Sequence, residues 1–432
     1  MKKRGLHRGS LLLASAVLVI GLGTSVAYAT GAISNGSSNP SYTACVKTQN
    51  GQLRIVSAAS QCLPSEYAIQ IAQPVPPPGP QNVTVDCGSG QSIQQTIDQA
   101  DPTQPLNITI LGTCDEMVTI NRDNVSLSAG SPGAGISAPA GSSAALSLND
   151  ARGINLKQLT LAGGQNTLNA YNNSDFGAYQ LNVSGGTGAD VSVDLGSSGE
   201  LNDATITNAA QSGVVAGNGG SISLDGGTVS GSGTDGVSAV GGDIAMSGVV
   251  VSDSGLTGVY AAVSSAVVIR GSTVEGGGVG VRAATGGSIS INSGTLIQNN
   301  TLQGVAVDNG SSAALTGAQV SGNAQDGIIV FGTGSLQLQN SMVQNNAGNG
   351  VTLSLGSTGQ FQDDTISNNA HDGIHLNDSS VAQFNYPTGN DTVTGNGGWG
   401  VTCETSPADA MIGGVIGTVS GNGAGQVSCP SF

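Results

Sequence analysis

The regular feature of this 432-residue chain is a glycine followed by alternating aliphatic positions, returning roughly every 23 residues. Its copies read GVVA at Gly213, GVSA at Gly236, GVYA at Gly258, GVRA at Gly280, GVAV at Gly304, GIIV at Gly327, GVTL at Gly350, GIHL at Gly373 and GVTC at Gly400. Successive glycines stand 23, 22, 22, 24, 23, 23, 23 and 27 residues apart, so nine copies hold one register. Within each copy, alternating runs such as GSISI, SLQLQ and TGQFQ are separated by clusters of Gly, Ser and Asn, which predicts strands of about 4 to 5 residues joined by turns. The intervals leave no room for a helix. A unit of this length with three short strands predicts an all-β chain, a right-handed parallel β-helix in which each strand pairs with its copy one coil along.

The columns of this repeat predict a core. One residue after each glycine stand Val214, Val237, Val259, Val281, Val305, Ile328, Val351, Ile374 and Val401. Three residues after stand Ala216, Ala239, Ala261, Ala283, Val307, Val330, Leu353, Leu376 and Cys403, the same inward face by the two-residue period of a strand. At about 1.5–3 kcal/mol per buried large aliphatic side chain, such columns hold a solenoid together without aromatics. Four residues before successive glycines stand Asn300, Asn323, Asn346, Asn369 and Asn396, which predicts a ladder of amide hydrogen bonds rather than chemistry.

Solenoid ends need cover, because open strand edges template aggregation. In GQSIQQTIDQA, Ser92 and Gln95 have capping-box spacing and Ile93, Ile97 and Ala100 share one helical face, so a short N-terminal helix is expected to plug the first coil. Six cysteines allow 15 disulfide connectivities, and their spacing suggests the neighbouring pairs Cys45–Cys62, Cys87–Cys114 and Cys403–Cys429. The last two separations, 27 and 26 residues, are each about one coil, so each pair is placed to lock a terminal coil to its neighbour.

The start of the chain has its own logic. Lys2, Lys3, Arg4 and Arg8 precede the apolar run LLLASAVLVIGLG and the AYA at Ala27–Ala29, the order of a secretory signal peptide over residues 1–29. Residues 30–71 hold a small two-cysteine segment, residues 72–81 (AQPVPPPGPQ) a proline-rich linker, and residues 82–432 the β-helix. A secreted, cell-surface or periplasmic bacterial protein is expected, without membrane insertion. After removal of residues 1–29, 7 Lys/Arg face 27 Asp/Glu, a formal charge of −20 that disfavours nucleic acid.

From Val83 to Cys429, including the opening VDCGSGQSIQQTIDQA followed by NITILGTCDEMVTI, the chain resembles the right-handed parallel β-helix repeat proteins of the pectin-lyase-like superfamily. The segment YTACVKTQNGQLRIVSAASQC resembles a small two-cysteine element found near the start of various exported bacterial proteins. The superfamily resemblance implies polysaccharide lyases, glycoside hydrolases, epimerases or non-catalytic adhesive proteins, with a polysaccharide lying along an outward strand face. A lyase of that type would use acidic Ca²⁺ ligands and an Arg or Lys base. Past Gln81 the basic residues are Arg122, Arg152, Lys157, Arg270 and Arg282. A polygalacturonase-like hydrolase would carry Gly-His-Gly and Arg-x-Lys motifs, and neither is present.

Two groups of residues therefore carry the candidate chemistry. Tyr260, Arg282, Asp308, Phe331, His375 and Asn377 are expected to point outward from the strand after each glycine and form a ligand-binding face. Arg282, Asp308, Asp364, His371 and His375 are the candidate catalytic residues. His371 and His375, four residues apart with Asp372 between them, read first as two surface histidines of one coil, and Asp372 as part of a repeated Asp-Gly turn. Asp363 and Asp364 are expected in one strand and so on opposite faces, which argues against a two-carboxylate site. No protein metal site or cofactor is expected; Ca²⁺ is the one candidate ion, although its nine-residue β-helix binding repeat is absent. The expected function is glycan binding or surface adhesion by an exported solenoid, with a polysaccharide-modifying enzyme and a plain structural spacer as the alternatives.

Overall fold

The computed structural model describes residues 41–72, 79–385, 389–404 and 410–429. The expected signal peptide and most of the expected linker lie outside them. The chain divides into two compact units, Met1–Pro77 and Pro78–Phe432. In the first, Ser41–Lys47 is the centre of a three-stranded antiparallel sheet, flanked by Leu53–Val56 and Glu66–Ala72. A disulfide joins Cys45 to Cys62, and Arg54 holds Glu66 through two hydrogen bonds.

The second unit is a parallel β-solenoid with three sheets of 14, 15 and 14 strands, in which every strand pairs with the equivalent strand of the next coil. We call the 14-stranded sheet built on the glycine-aliphatic motif sheet I, the 15-stranded sheet sheet II and the other sheet III. In sheet I, Val214, Val237, Val259, Val281, Val305, Ile328, Val351, Ile374 and Val401 stack in register and are all fully buried. The pairing also extends the register below Gly213, where Val191 and Leu168 continue the same column. Phe361 and Phe384 stack inside sheet II with ring centroids 5.1 Å apart.

The asparagine column is a hydrogen-bonded ladder. The Asn323 side chain donates from Nδ2 to Asn346 Oδ1 at 2.9 Å, and the Asn323 backbone N–H donates to the same oxygen at 3.1 Å. The pattern repeats from Asn300 through Asn346, Asn369 and Asn396 to Asn422, and each Nδ2 also faces a carbonyl of an earlier coil, as Asn346 does with Val320 at 3.3 Å. The residue before each ladder position has a positive φ, at Asn299, Gly322, Asn345, Asn368 and Gly395, which is why each of them is Asn or Gly. The ladder also explains the repeated glycine. A Cβ on Gly327 would stand 2.5 Å from Val343 Cγ1 and 2.7 Å from Asn346 Nδ2.

A second ladder runs between sheets II and III. The Ala318 N–H donates to Ser341 Oγ (3.2 Å), the Ser341 N–H to Asp364 Oδ1 (2.9 Å), and the Asp364 N–H to Asp391 Oδ1 (2.9 Å). Asp363, just before it, has φ +59° and shares its column with the left-handed Gly317 and Asn340. Asp363 and Asp364 are thus turn residues between the strands Thr358–Gln362 and Thr365–Ser367, not neighbours within one strand.

The ends are closed as their chemistry suggests. The helix Ile93–Gln99 buries Ile93 and Ile97, and the Gln95 N–H donates to Ser92 Oγ at 3.1 Å. Glu116, rather than Gln95, completes the cap, accepting from Ser92 Oγ and the Ile93 N–H, both at 2.7 Å. Disulfides join Cys87 to Cys114 and Cys403 to Cys429. Among the described residues no helix is long and apolar enough to cross a membrane.

Candidate functional site: the outer face of sheet I

The residues two positions after each glycine form the outward column of sheet I, running Ser238, Tyr260, Arg282, Ala306, Ile329, Thr352, His375 and Thr402 on successive coils. Two features on it carry charge. Arg282 and His375 are four coils apart, about 19 Å at roughly 4.8 Å per strand, so they belong to separate sites.

At the first, Arg282 donates from Nε (2.9 Å) and Nη2 (2.7 Å) to Asp308 Oδ2 on the next coil. Asp308 does not point outward as expected. It is fully buried; the strand Val305–Val307 ends before it, so the in-out alternation does not carry it outward, and Ala262 and Ala284, the last residues of their strands, are buried in the same column. The Asn309 side chain donates to Asp308 Oδ1, so neither carboxylate oxygen is left over for a ligand. Arg282 keeps 42% of its side chain exposed. One shallow concavity of about 380 Å³ lies on its Tyr260 side, walled by Leu256, Val279 and Leu302 and lined as well by the half-buried Asp235. Another of about 360 Å³ lies towards Ile329 and Phe331. Arg122, by contrast, is consumed by structure: its guanidinium donates to the carbonyls of Asp101 and Gln104 beyond the end of the capping helix.

At the second, His375 Nδ1 lies 3.0 Å from Asp372 Oδ2, and Nε2 lies 3.4 Å from Glu404 Oε1. The Asp372 hydrogen bond is the main cause that raises the imidazole above its ordinary pKa, against the opposing effect of burial. For Asp372, burial pulls the carboxyl upward, but the His375 hydrogen bond and the Trp399 N–H outweigh it and hold the group below its usual range. Asp372, expected as a turn residue, is thus also the partner of His375. The residue before a repeat glycine can reach the one two places after it, as Asn349 Nδ2 donates to Thr352 Oγ1 at 3.0 Å, so the Asp-Gly-x-His spacing is the signal that joins Asp372 to His375.

The remaining candidates fall elsewhere. His371 is exposed in the turn before Gly373, and its closeness to Asp372 is electrostatic. Asn377 is half-buried, with a buried Oδ1 that has no partner. Asp364 is not on sheet I; both its oxygens accept backbone N–H groups, from Ser341 and Gln362 at 2.9 Å, which makes it a residue of the second ladder. Among the described residues the one cluster with metal-ligand geometry is Cys45, Cys62 and Glu66, where both thiols are tied up as a disulfide.

No curated protein matches the chain. Solved structures that resemble it include the A-module of a mannuronan C-5 epimerase from Azotobacter vinelandii, at 17% identity and a TM-score of 0.45, covering 78% of this chain and 93% of that one. A periplasmic alginate epimerase aligns at 12% identity and TM-score 0.45, over 78% and 85% of the two chains. The enzymatically active domain of bacteriophage CBA120 tailspike protein 2 aligns at 10% identity and TM-score 0.45, over 63% of this chain and 48% of that chain. The profile of the right-handed β-helix region family matches residues 144–302 and 257–414, together more than half of the chain. The chain belongs to the right-handed β-helix family.

Proposed function

We propose that the protein is an exported glycan-binding β-helix whose sheet I face, from Tyr260 to Phe331, takes an acidic polysaccharide. The observation that carries this is Arg282, a guanidinium fixed on one side by a buried carboxylate and open on the other, between two concavities that offer Tyr260 and Phe331 as surfaces for sugar rings. A pre-ordered guanidinium binds a carboxylate with little further loss of side-chain freedom. The acidic surface elsewhere makes the contact selective, since a negative chain is repelled except where a cation is displayed.

The test is affinity electrophoresis in gels containing polygalacturonate, alginate or a neutral glucan. The native protein is expected to be retarded by an acidic polymer, less so at high salt. Arg282→Ala alone strands a buried carboxylate, so the informative variant is the double substitution Arg282→Gln with Asp308→Asn, which removes both charges. It should weaken retardation at least about tenfold, the loss of roughly 1.4 kcal/mol or more. Native protein that passes every acidic gel unretarded would sink the reading.

One observation favours a second reading, a polysaccharide-modifying enzyme. His375 is held between Asp372 and Glu404, an arrangement that suits a general acid or base. Incubation with the same polymers, with and without Ca²⁺, should then yield new reducing ends or unsaturated sugars, and His375→Ala should abolish them. Product formation that survives in His375→Ala removes this site from consideration.

A further inference from the structure

An open groove of about 500 Å³ lies on the outer face of sheet II, away from the sheet I face. Its floor carries Gln337, Gln360 and Gln383, which pair strand to strand and so stand on three successive coils in one column. Gln339 and Gln362 form a parallel column two residues on, extended by Asn385. Among the described residues the groove's lining contains no charged one. Earlier in the same two columns the residues are different: Ala245, Val268, Ser290 and Ala314 precede Gln337, and Asp225 and Arg270 lie in the second. The carboxamides are therefore a local feature of three coils, not a property of the repeat.

We propose that this groove is a carbohydrate-binding site for a neutral polysaccharide, separate from the sheet I face. A primary amide offers two donors and an acceptor in one plane, which lets it bond both to a hydroxyl's oxygen and to its hydrogen. Gln337, Gln360 and Gln383 are exposed, and only one contact links them, Gln337 Nε2 to Gln360 Oε1 at 3.2 Å, so most of their hydrogen-bonding capacity faces the groove. The columns repeat every coil, about 4.8 Å, and a polymer laid along the solenoid axis meets the same pair of amides at each step. Absence of charge selects the polymer. An acidic chain finds no cation here within a strongly acidic protein, whereas a neutral one loses nothing to the field.

The experiment compares full-length protein in gels containing dextran, galactomannan or β-glucan with the triple variant Gln337→Ala, Gln360→Ala, Gln383→Ala. The native protein should be retarded by at least one neutral polymer, insensitively to salt, and the triple variant should lose that retardation at least tenfold. The Arg282→Gln, Asp308→Asn variant should keep it, which separates this site from the sheet I face. A thermal melt confirms that the triple variant is folded; Gln360→Leu, a change at one exposed position that removes the amide's donors and acceptor while keeping most of the side chain's bulk, should reproduce part of the loss. Native protein that ignores all neutral polymers, or a folded triple variant that binds as the native protein does, overturns the proposal.

Discussion

Asn346→Asp is expected to destabilise the solenoid by about 3–5 kcal/mol at neutral pH, more than Asn346→Ala, although Asp is the closer match in shape. Asn346 Oδ1 accepts from the Asn323 backbone and side chain, and its Nδ2 donates to Asn369 Oδ1 at 2.9 Å and to the Val320 carbonyl at 3.3 Å. A carboxylate keeps the first pair of bonds but turns the second pair into oxygens facing oxygens, in a position 2% exposed. Alanine leaves those groups unpaired without adding a buried charge. Urea unfolding followed by circular dichroism gives the ranking directly. Equal midpoints for the native protein and Asn346→Asp, or a smaller loss for Asp than for Ala, would show that the ladder is not what ties these coils together.

The ladder and the apolar columns were legible because they obey one rule each. Strand alternation put Val281 and Ala283 inside, and a repeated Asn four residues before a glycine had no reason to recur except stacking. The Gly327 geometry joins the two: the glycine makes room for the amide that the next coil's ladder presents. The same logic made the helix cap readable from Ser92, Ile93 and Ile97, though not its acidic partner, since Glu116 comes from a loop 24 residues on whose position only the solenoid's closure sets.

What alternation could not reach were positions just beyond a strand's end. Asp308 follows a three-residue strand and turns inward under Arg282, so a residue expected on the outer face instead orders the guanidinium that stands there. Asp363 and Asp364 look like an acidic pair in a strand, but one fills a left-handed turn position and the other a backbone-binding column. The column was hidden because Ser341 shares the hydrogen-bonding role of Asp364 and Asp391 without sharing their identity. The groove of glutamines is hidden for the opposite reason: in SLQLQ and TGQFQ the glutamines fill the polar half of the strand alternation, and only pairing between coils lines them up as columns.

Asp364→Ser is expected to stabilise the protein by roughly 2–4 kcal/mol at pH 8 while changing little near pH 4.5. Burial pushes the Asp364 carboxyl up to about 7, helped by the neighbouring charges of Asp391 and Asp363 and opposed by the Ser341 and Gln362 N–H groups. Between the ordinary carboxylate range and about 7, the folded state keeps a proton that the unfolded chain has already released. Stability therefore falls as pH rises through that window, and the cost is complete above it. Asp391 and Asp190, both raised chiefly by burial, slope the same way, as does His375, whose contribution is lost as pH climbs through its raised folded value. Serine is the substitution the column itself uses: Ser341 Oγ accepts from the preceding coil's backbone and donates to the Gln339 carbonyl at 2.9 Å, with no charge to bury. Urea midpoints at pH 4.5 and pH 8 should show a wide gap for the native protein and a narrower one for Asp364→Ser. An unchanged gap would mean that Asp364 is ionised at no cost in the folded coil, and that the second ladder is held by a carboxylate rather than by a carboxylic acid.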